Sequence, residues 1–265
     1  MEVSVFIYFS LTKVLYICVV ISFYMNFLNM KNELLKLNLD IFTLNDVVKL
    51  TGQSKDVVKN KLSLLSKQQK IFHLKKGYYS LNNIFNKFNF QKLYKNTYIA
   101  LYSALEYYES TTQRFNNLDL ITKNILNNQS LDEMKIIFHN VKKKMFFGFK
   151  KIKINNTDVF ISNIEKTIID CVYFSSKVYL TDVNDFIRKF KDEINIEILC
   201  MYLKKIDSSV LNKRIGYLME LNGIELKKMK FNNKFEKFNK NLQSKGVRNE
   251  KWKIIINEDV DNGEK

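Results

Sequence analysis

The sequence contains no proline among its 265 residues, where about one residue in twenty is usual, so element boundaries must be read from capping residues and glycines. Histidine is nearly absent. His73 and His139 are the only two, which excludes His-rich metal sites and multi-histidine catalytic centres. The three cysteines, Cys18, Cys171 and Cys200, are scattered without a C-x-x-C pair. That spacing supports neither a zinc ribbon nor a disulfide framework, and a reducing cytoplasm is the expected compartment. Arginine is scarce, four residues against 39 lysines, while asparagine reaches 31. Such a mix of Lys, Asn, Ile, Phe and Tyr is what an AT-rich genome encodes, so the placement of charge says more than its total.

What is present points to a folded, basic protein. Hydrophobic residues make up 46% and aromatics 14% of the chain, which excludes a wholly disordered or fibrous protein. The net charge is +16, and residues 30–93 alone carry 12 basic against 4 acidic groups. Lys49 to Lys76 holds eight lysines and one acid, Asp56, an electrostatic footprint suited to a polyanion. Lys142-Lys143-Lys144 reads instead as an ordinary solvated face.

Residues 3–28 are apolar apart from Lys13 and long enough to cross a bilayer. No positive region precedes them and no small-residue cleavage site follows, so a signal peptide is poorly supported. Lys13 near the middle is costly in a membrane. Residues 1–29 are therefore expected to be a translated leader upstream of a start at Met30 or Met25. The competing reading is a membrane anchor that holds the rest at the cytoplasmic face.

Residues 30–83 carry compact local signals. Leu34, Leu35 and Leu37 suggest a short helix, and Thr43-Leu44-Asn45-Asp46 is a capping box that opens a second. Gly52 supplies a C-cap and Ser54 an N-cap for a third helix over 55–68. There Val58, Leu62 and Leu65 form a core stripe, with Asp56, Lys59, Asn60, Ser63 and Lys67 opposite. Ile71 to Leu81 then reads as a hairpin with Lys75-Lys76-Gly77 at its tip. Helix, helix, turn, helix and basic hairpin together predict a winged helix-turn-helix. The expected DNA-contacting residues are Ser54, Lys55, Lys59, Asn60, Ser63, Lys67, His73, Lys75 and Lys76.

Residues 84–96 read as a linker. Beyond it the pattern predicts a helix over 98–108, strands at 118–122, 135–139, 145–154 and 157–161, then a helix opened by a capping box at Ser162 and Glu165. Helices at 183–192, 195–206 and 208–222 follow, with a last strand at 251–257 and a polar tail at 258–265. Strands followed by helices imply an α+β domain over 97–257. Lys166 and Asp170, four apart, read as a helix-surface pair, and Gly216 as a site of close helix packing.

The basic winged helix, Ser103-Ala104-Leu105, Glu165-Lys166-Thr167-Ile168-Ile169-Asp170, Lys213-Arg214-Ile215-Gly216-Tyr217-Leu218-Met219-Glu220 and the closing Lys251-Trp252 follow one another in an order that resembles the AbiEi antitoxin family. The similarity spans roughly 31–257. It departs at Tyr107-Tyr108-Glu109, where family members commonly have a glycine-containing turn, and at Lys213, where arginine is frequent. The resemblance implies a type IV toxin–antitoxin system. The protein would repress its own operon by binding repeats upstream of it, with self-association on DNA as a further expectation. It would counteract a nucleotidyltransferase toxin without a stable complex. Glu165, Lys166, Thr167, Asp170, Arg214, Gly216, Tyr217 and Glu220 are the family-motif residues of the second domain. A winged-helix regulator with no toxin partner, tethered to the membrane through residues 3–28, is the alternative.

Enzyme readings find little support. Asp259-Val260-Asp261 is the only D-x-D pair, and it sits in the polar tail without the strand-turn that two-metal chemistry requires. No Walker loop, G-x-G-x-x-G, G-x-S-x-G or H-E-x-x-H occurs. Cys171 reads as core, and neither histidine has a partner that the sequence identifies. No cofactor, metal or catalytic residue is expected.

Overall fold

Capping chemistry sets the order of elements in the first part of the chain. The computed structural model describes residues 27–82, 86–113, 115–131, 134–155, 157–226 and 229–261. A helix over 27–36 (α1) precedes a short strand, Ile41–Thr43 (β1). Thr43 then caps helix α2, Leu44–Thr51. Its Oγ1 accepts from the Asp46 N–H at 3.2 Å, and the Asp46 carboxylate accepts from the Thr43 N–H at 2.7 Å. This is the capping box expected from sequence. Gly52 ends α2 at φ 66°, with its N–H on the Val48 carbonyl, the left-handed conformation that glycine adopts without steric cost.

Helix α3 covers Lys55–Lys67, and strands β2 (Phe72–Lys75) and β3 (Tyr78–Ser80) follow. The loop Lys76–Gly77 turns with Gly77 at φ 83°. β3 pairs antiparallel with both β1 and β2, giving the order β1-β3-β2. Leu34, Phe42, Val47, Val58, Leu62, Leu65, Ile71 and Leu81 are buried together beneath these elements. Each such side chain contributes roughly 1.5–3 kcal/mol on burial.

The chain divides into two units, residues up to 86 with 153–158, and 87–152 with 159 onward. Most of a six-stranded sheet, with the order β6-β7-β5-β4-β9-β8, lies in the second. Its strands are β4 (Thr97–Ile99), β5 (Asn117–Thr122), β6 (Gln129–Leu131), β7 (Met134–Asn140), β8 (Phe149–Ile154) and β9 (Thr157–Ser162). β5 runs parallel to β7 and β4 parallel to β9, while β4 and β5 are antiparallel. Helix α4 (Leu101–Tyr107) sits between β4 and β5. After β9 come α5 (Ile164–Tyr173), α6 (Leu180–Lys189), α7 (Ile196–Ile206) and α8 (Ser209–Leu221). A small sheet of β10 (Glu236–Lys237), β11 (Val247–Asn249) and β12 (Ile254–Ile256), in the order β10-β12-β11, closes the chain. The architecture is α+β.

Several elements differ from expectation. The helix expected over 98–108 begins only at Leu101, because Thr97–Ile99 is fully buried as a strand of the sheet. The expected linker over 84–96 contains a 3-10 helix, Lys87–Leu93, with Phe88, Asn89, Gln91 and Leu93 buried. Gln91 fastens it, donating to the Thr97 carbonyl at 2.8 Å and accepting from the Phe160 N–H at 3.0 Å. The expected strand 145–154 starts at Phe149, after a 3-10 turn at Lys143–Met145. The apolar stretch 3–28 lies, apart from its last two residues, outside the described residues. Among those described, no helix is long and apolar enough to cross a membrane.

Candidate functional site

The basic face of the first unit is built on α3. Val58, Leu62 and Leu65 anchor the helix in the core, which turns the opposite side outward. Ser54, Lys55, Lys59, Asn60, Ser63 and Lys67 are all exposed, as are His73 and Lys76 on the hairpin. Lys75 is half-buried, with its Nζ 5.2 Å from the Tyr78 ring centroid, and burial pushes its pKa down. Of the two hairpin lysines, Lys76 is the more exposed. Ser54 occupies the N-cap position of α3 without a side-chain cap bond. The exposed first turn of the helix therefore presents N–H groups and the positive end of the dipole. Two residues on this face escaped the sequence reading: Val57 and Leu64 are exposed at 45% and 44%. They stand three before and four after Asn60, and that spacing was the available signal.

In the second unit the Glu165–Asp170 motif lies on α5, and its placement corrects two expectations. The N-cap is Asn163, not Ser162. The Asn163 Oδ1 accepts from the Lys166 N–H at 2.9 Å. Ser162 instead shares a 2.7 Å hydroxyl bond with Thr167, whose Oγ1 also bonds the Asn163 carbonyl at 2.8 Å. Glu165 reaches away from its own helix and accepts from the Asn195 N–H, at the start of α7, at 2.8 Å.

Lys166 and Asp170 are not a surface pair, since both are fully buried. The Lys166 Nζ donates to the Asp170 carboxylate and, at 3.0 Å, to the Tyr98 hydroxyl. Tyr98 in turn donates to the second Asp170 oxygen at 2.9 Å. The ammonium lies 5.5 Å from the centroids of both Tyr98 and Phe147. Burial raises the Asp170 carboxyl above its ordinary value, although Lys166 pulls the other way. The triad ties α5 to β4, and each charged atom is occupied by another, so it presents nothing to a substrate.

The motif on α8 holds the end of the chain. Lys213 donates to the Asn232 side chain at 2.7 Å and to the Lys234 carbonyl. The Arg214 Nε and Nη2 both donate to the Lys237 carbonyl, at 3.0 and 2.8 Å. The Tyr217 ring meets Phe238 edge-on at 5.1 Å. Glu220 accepts from the Trp252 indole N–H and from Lys251 at 2.7 Å. Burial works to raise the Glu220 carboxyl, but these two donors prevail and leave it below its ordinary value. Gly216 makes room for an indole rather than for a helix, since a Cβ there would lie 2.0 Å from the Trp252 ring. Lys213 acts as a donor to the returning segment.

His139 does have a partner: its Nε2 lies 2.8 Å from the Asp119 Oδ1. Asp119 also accepts from the Asn117 amide at 2.9 Å, and its own N–H donates to the Ser103 hydroxyl at 2.8 Å. The carboxylate stands between serine and histidine, so this is not a nucleophile–base pair. Cys171 is buried in the core. Asp261 is exposed and its carboxylate meets Arg188 at 3.3 Å. Among the described residues no group of three or more His, Cys, Asp or Glu side chains could hold a metal ion.

No protein-family model and no curated protein matches the chain. In structure it is similar to the RV2827C protein from Mycobacterium tuberculosis, with a TM-score of 0.56 at 9% identity over 84% of this chain and 88% of that one. At that identity the likeness concerns the fold alone.

Proposed function

We propose that this protein is a DNA-binding antitoxin. Its first unit acts as a winged helix-turn-helix that represses the protein's own operon, and its second unit counteracts a nucleotidyltransferase toxin. One observation carries the DNA-binding part: the side of α3 opposite its buried stripe exposes Lys59, Asn60, Ser63 and Lys67, with Lys55 exposed in its first turn, and the hairpin that follows in the chain exposes His73 and Lys76. In this reading α3 enters the major groove, where Asn60 and Ser63 meet base edges. Lys76 and the lysines flanking α3 take phosphates.

The antitoxin part rests on the family motifs. Their residues fix α5 to the sheet and clamp the C-terminal segment onto α8, so in this account they maintain the shape of the unit and its exposed surface acts on the toxin system. Two experiments test the proposal. Footprinting of the DNA upstream of the protein's own gene should show protected repeats that disappear with Asn60→Ala. A nucleotidyltransferase gene should lie beside its own, and co-expression of the two should restore the growth that the nucleotidyltransferase alone arrests. Uniform protection along the DNA would remove the repressor function, and growth arrest despite co-expression would remove the antitoxin function.

A further inference from the structure

The exposed face of α3 carries more than charge. Counting from the buried Val58, helical geometry puts Asn60 at the centre of the outward side. Val57 and Leu64, three before and four after it, lie against one flank, and Asp56 and Ser63 lie against the other. A branched apolar side chain standing 45% exposed, with a second at 44% about two turns further along, gains nothing from solvent. Meanwhile the face lacks the side chain that most often reads guanine. Arginine bidentate to guanine O6 and N7 is the commonest specific base contact, and the four arginines of the chain are Arg114, Arg188, Arg214 and Arg248, none of them in the first unit's α1–β3 region.

We propose that Val57, Asn60 and Leu64 read a core of adjacent A·T pairs in the major groove. Asn60 bonds adenine N6 and N7, and the two apolar side chains seat against thymine methyls on neighbouring pairs. The chemistry is matched on both counts. An amide is the bidentate partner of adenine, and the C5-methyl of thymine is the one apolar group that the major-groove edge offers. Neighbouring positions on a helix face are roughly 5–6 Å apart, so the three side chains fall on successive base pairs rather than on one. Lys59, Lys67 and Lys76 supply the sequence-independent affinity, and Asp56, in the first turn of α3, complements the helix dipole. This inference rests on the DNA-reading function proposed above.

The test begins with selection of duplexes from a random pool by the full-length protein, followed by titration of the selected site. The A·T core should then be rebuilt with deoxyuridine for thymidine, which removes only the methyl, or with 7-deazaadenosine, which removes only N7. Wild type should lose about fourfold on methyl removal, the equivalent of one desolvated methyl group. Val57→Ala or Leu64→Ala should abolish that loss at its own position, because the partner group has already gone. Asn60→Ala should cost ~5- to ~150-fold on the intact site and remove the sensitivity to 7-deazaadenosine. Both apolar positions are exposed and alanine is the better helix former, so circular dichroism should show these variants folded. A selected core of G·C pairs, or a methyl effect of equal size in wild type and both variants, overturns the inference and leaves DNA reading intact. Absence of any sequence preference overturns the inference and the DNA-reading function together.

Discussion

Replacing Gly216 by alanine separates two opposite expectations. In an open helix the change should stabilise by about 1 kcal/mol, because alanine is the better helix former. Here the new Cβ would stand 2.0 Å from the Trp252 ring, against the ~3.5–4 Å of ordinary carbon contact. The ring is rigid and 6% exposed, so it must retreat by about 1.5 Å or more. Overpacking of this kind costs up to about 3 kcal/mol. The retreat also pulls the indole N–H off Glu220, worth about 1 kcal/mol more. Set against the helix gain, the net loss is about 3 kcal/mol. Trp252 is the only tryptophan in the chain, so its fluorescence reports this site without any label. In urea the Gly216→Ala midpoint should fall by about 1 M at a slope near 3 kcal/mol/M, with native emission shifted to the red. An unchanged or raised midpoint with unchanged emission would refute the packing argument.

Other consequences follow from the same geometry. Lys166→Met alone strands a buried carboxylate and should cost about 3–5 kcal/mol, whereas Lys166→Met with Asp170→Leu should recover most of it, as read by urea unfolding. Because the folded Glu220 carboxyl lies below its ordinary value of 4.5, its stabilising contribution is complete above that pH and is lost as pH falls through the folded value. Trp252 emission should therefore report loosening in acid, and Glu220→Gln should remove that pH dependence while weakening the contact at neutral pH. Lys76→Ala should weaken binding to every DNA sequence alike and reduce the slope of log affinity against log salt by about one unit. Lys75→Ala should change that slope less, because the half-buried ammonium lies over Tyr78.

Local signals in the sequence were legible where their cause is local. The Thr43–Asp46 box, the left-handed Gly52 and the Lys76–Gly77 turn involve neighbours three or four residues apart at most, and each is present. The α3 stripe of Val58, Leu62 and Leu65 is likewise visible because one side of that helix is wet. Helix α5 is the opposite case. Residues Glu165 to Val172 are all buried, so no polar side marks an exterior, and an i,i+4 Lys–Asp pair looks the same in sequence whether solvated or sealed. What seals it are Tyr98 and Phe147, on other elements of the unit. His139 and Asp119 meet across neighbouring strands, and nothing in their spacing announces it. The strands β6, β10 and β11 are only two or three residues long, too short to show alternation.

The most direct test of the central claim is an equilibrium titration of the protein on the DNA upstream of its own gene. It should be run against shuffled DNA of equal composition across a range of salt. The account predicts tight and selective binding whose affinity falls steeply with salt, with the slope lowered in Lys59→Ala, Lys67→Ala and Lys76→Ala and the selectivity lost in Asn60→Ala. Weak binding of equal strength on both DNAs, unaffected by these changes, would contradict it and reduce the lysines of α3 and the hairpin to a solvated surface.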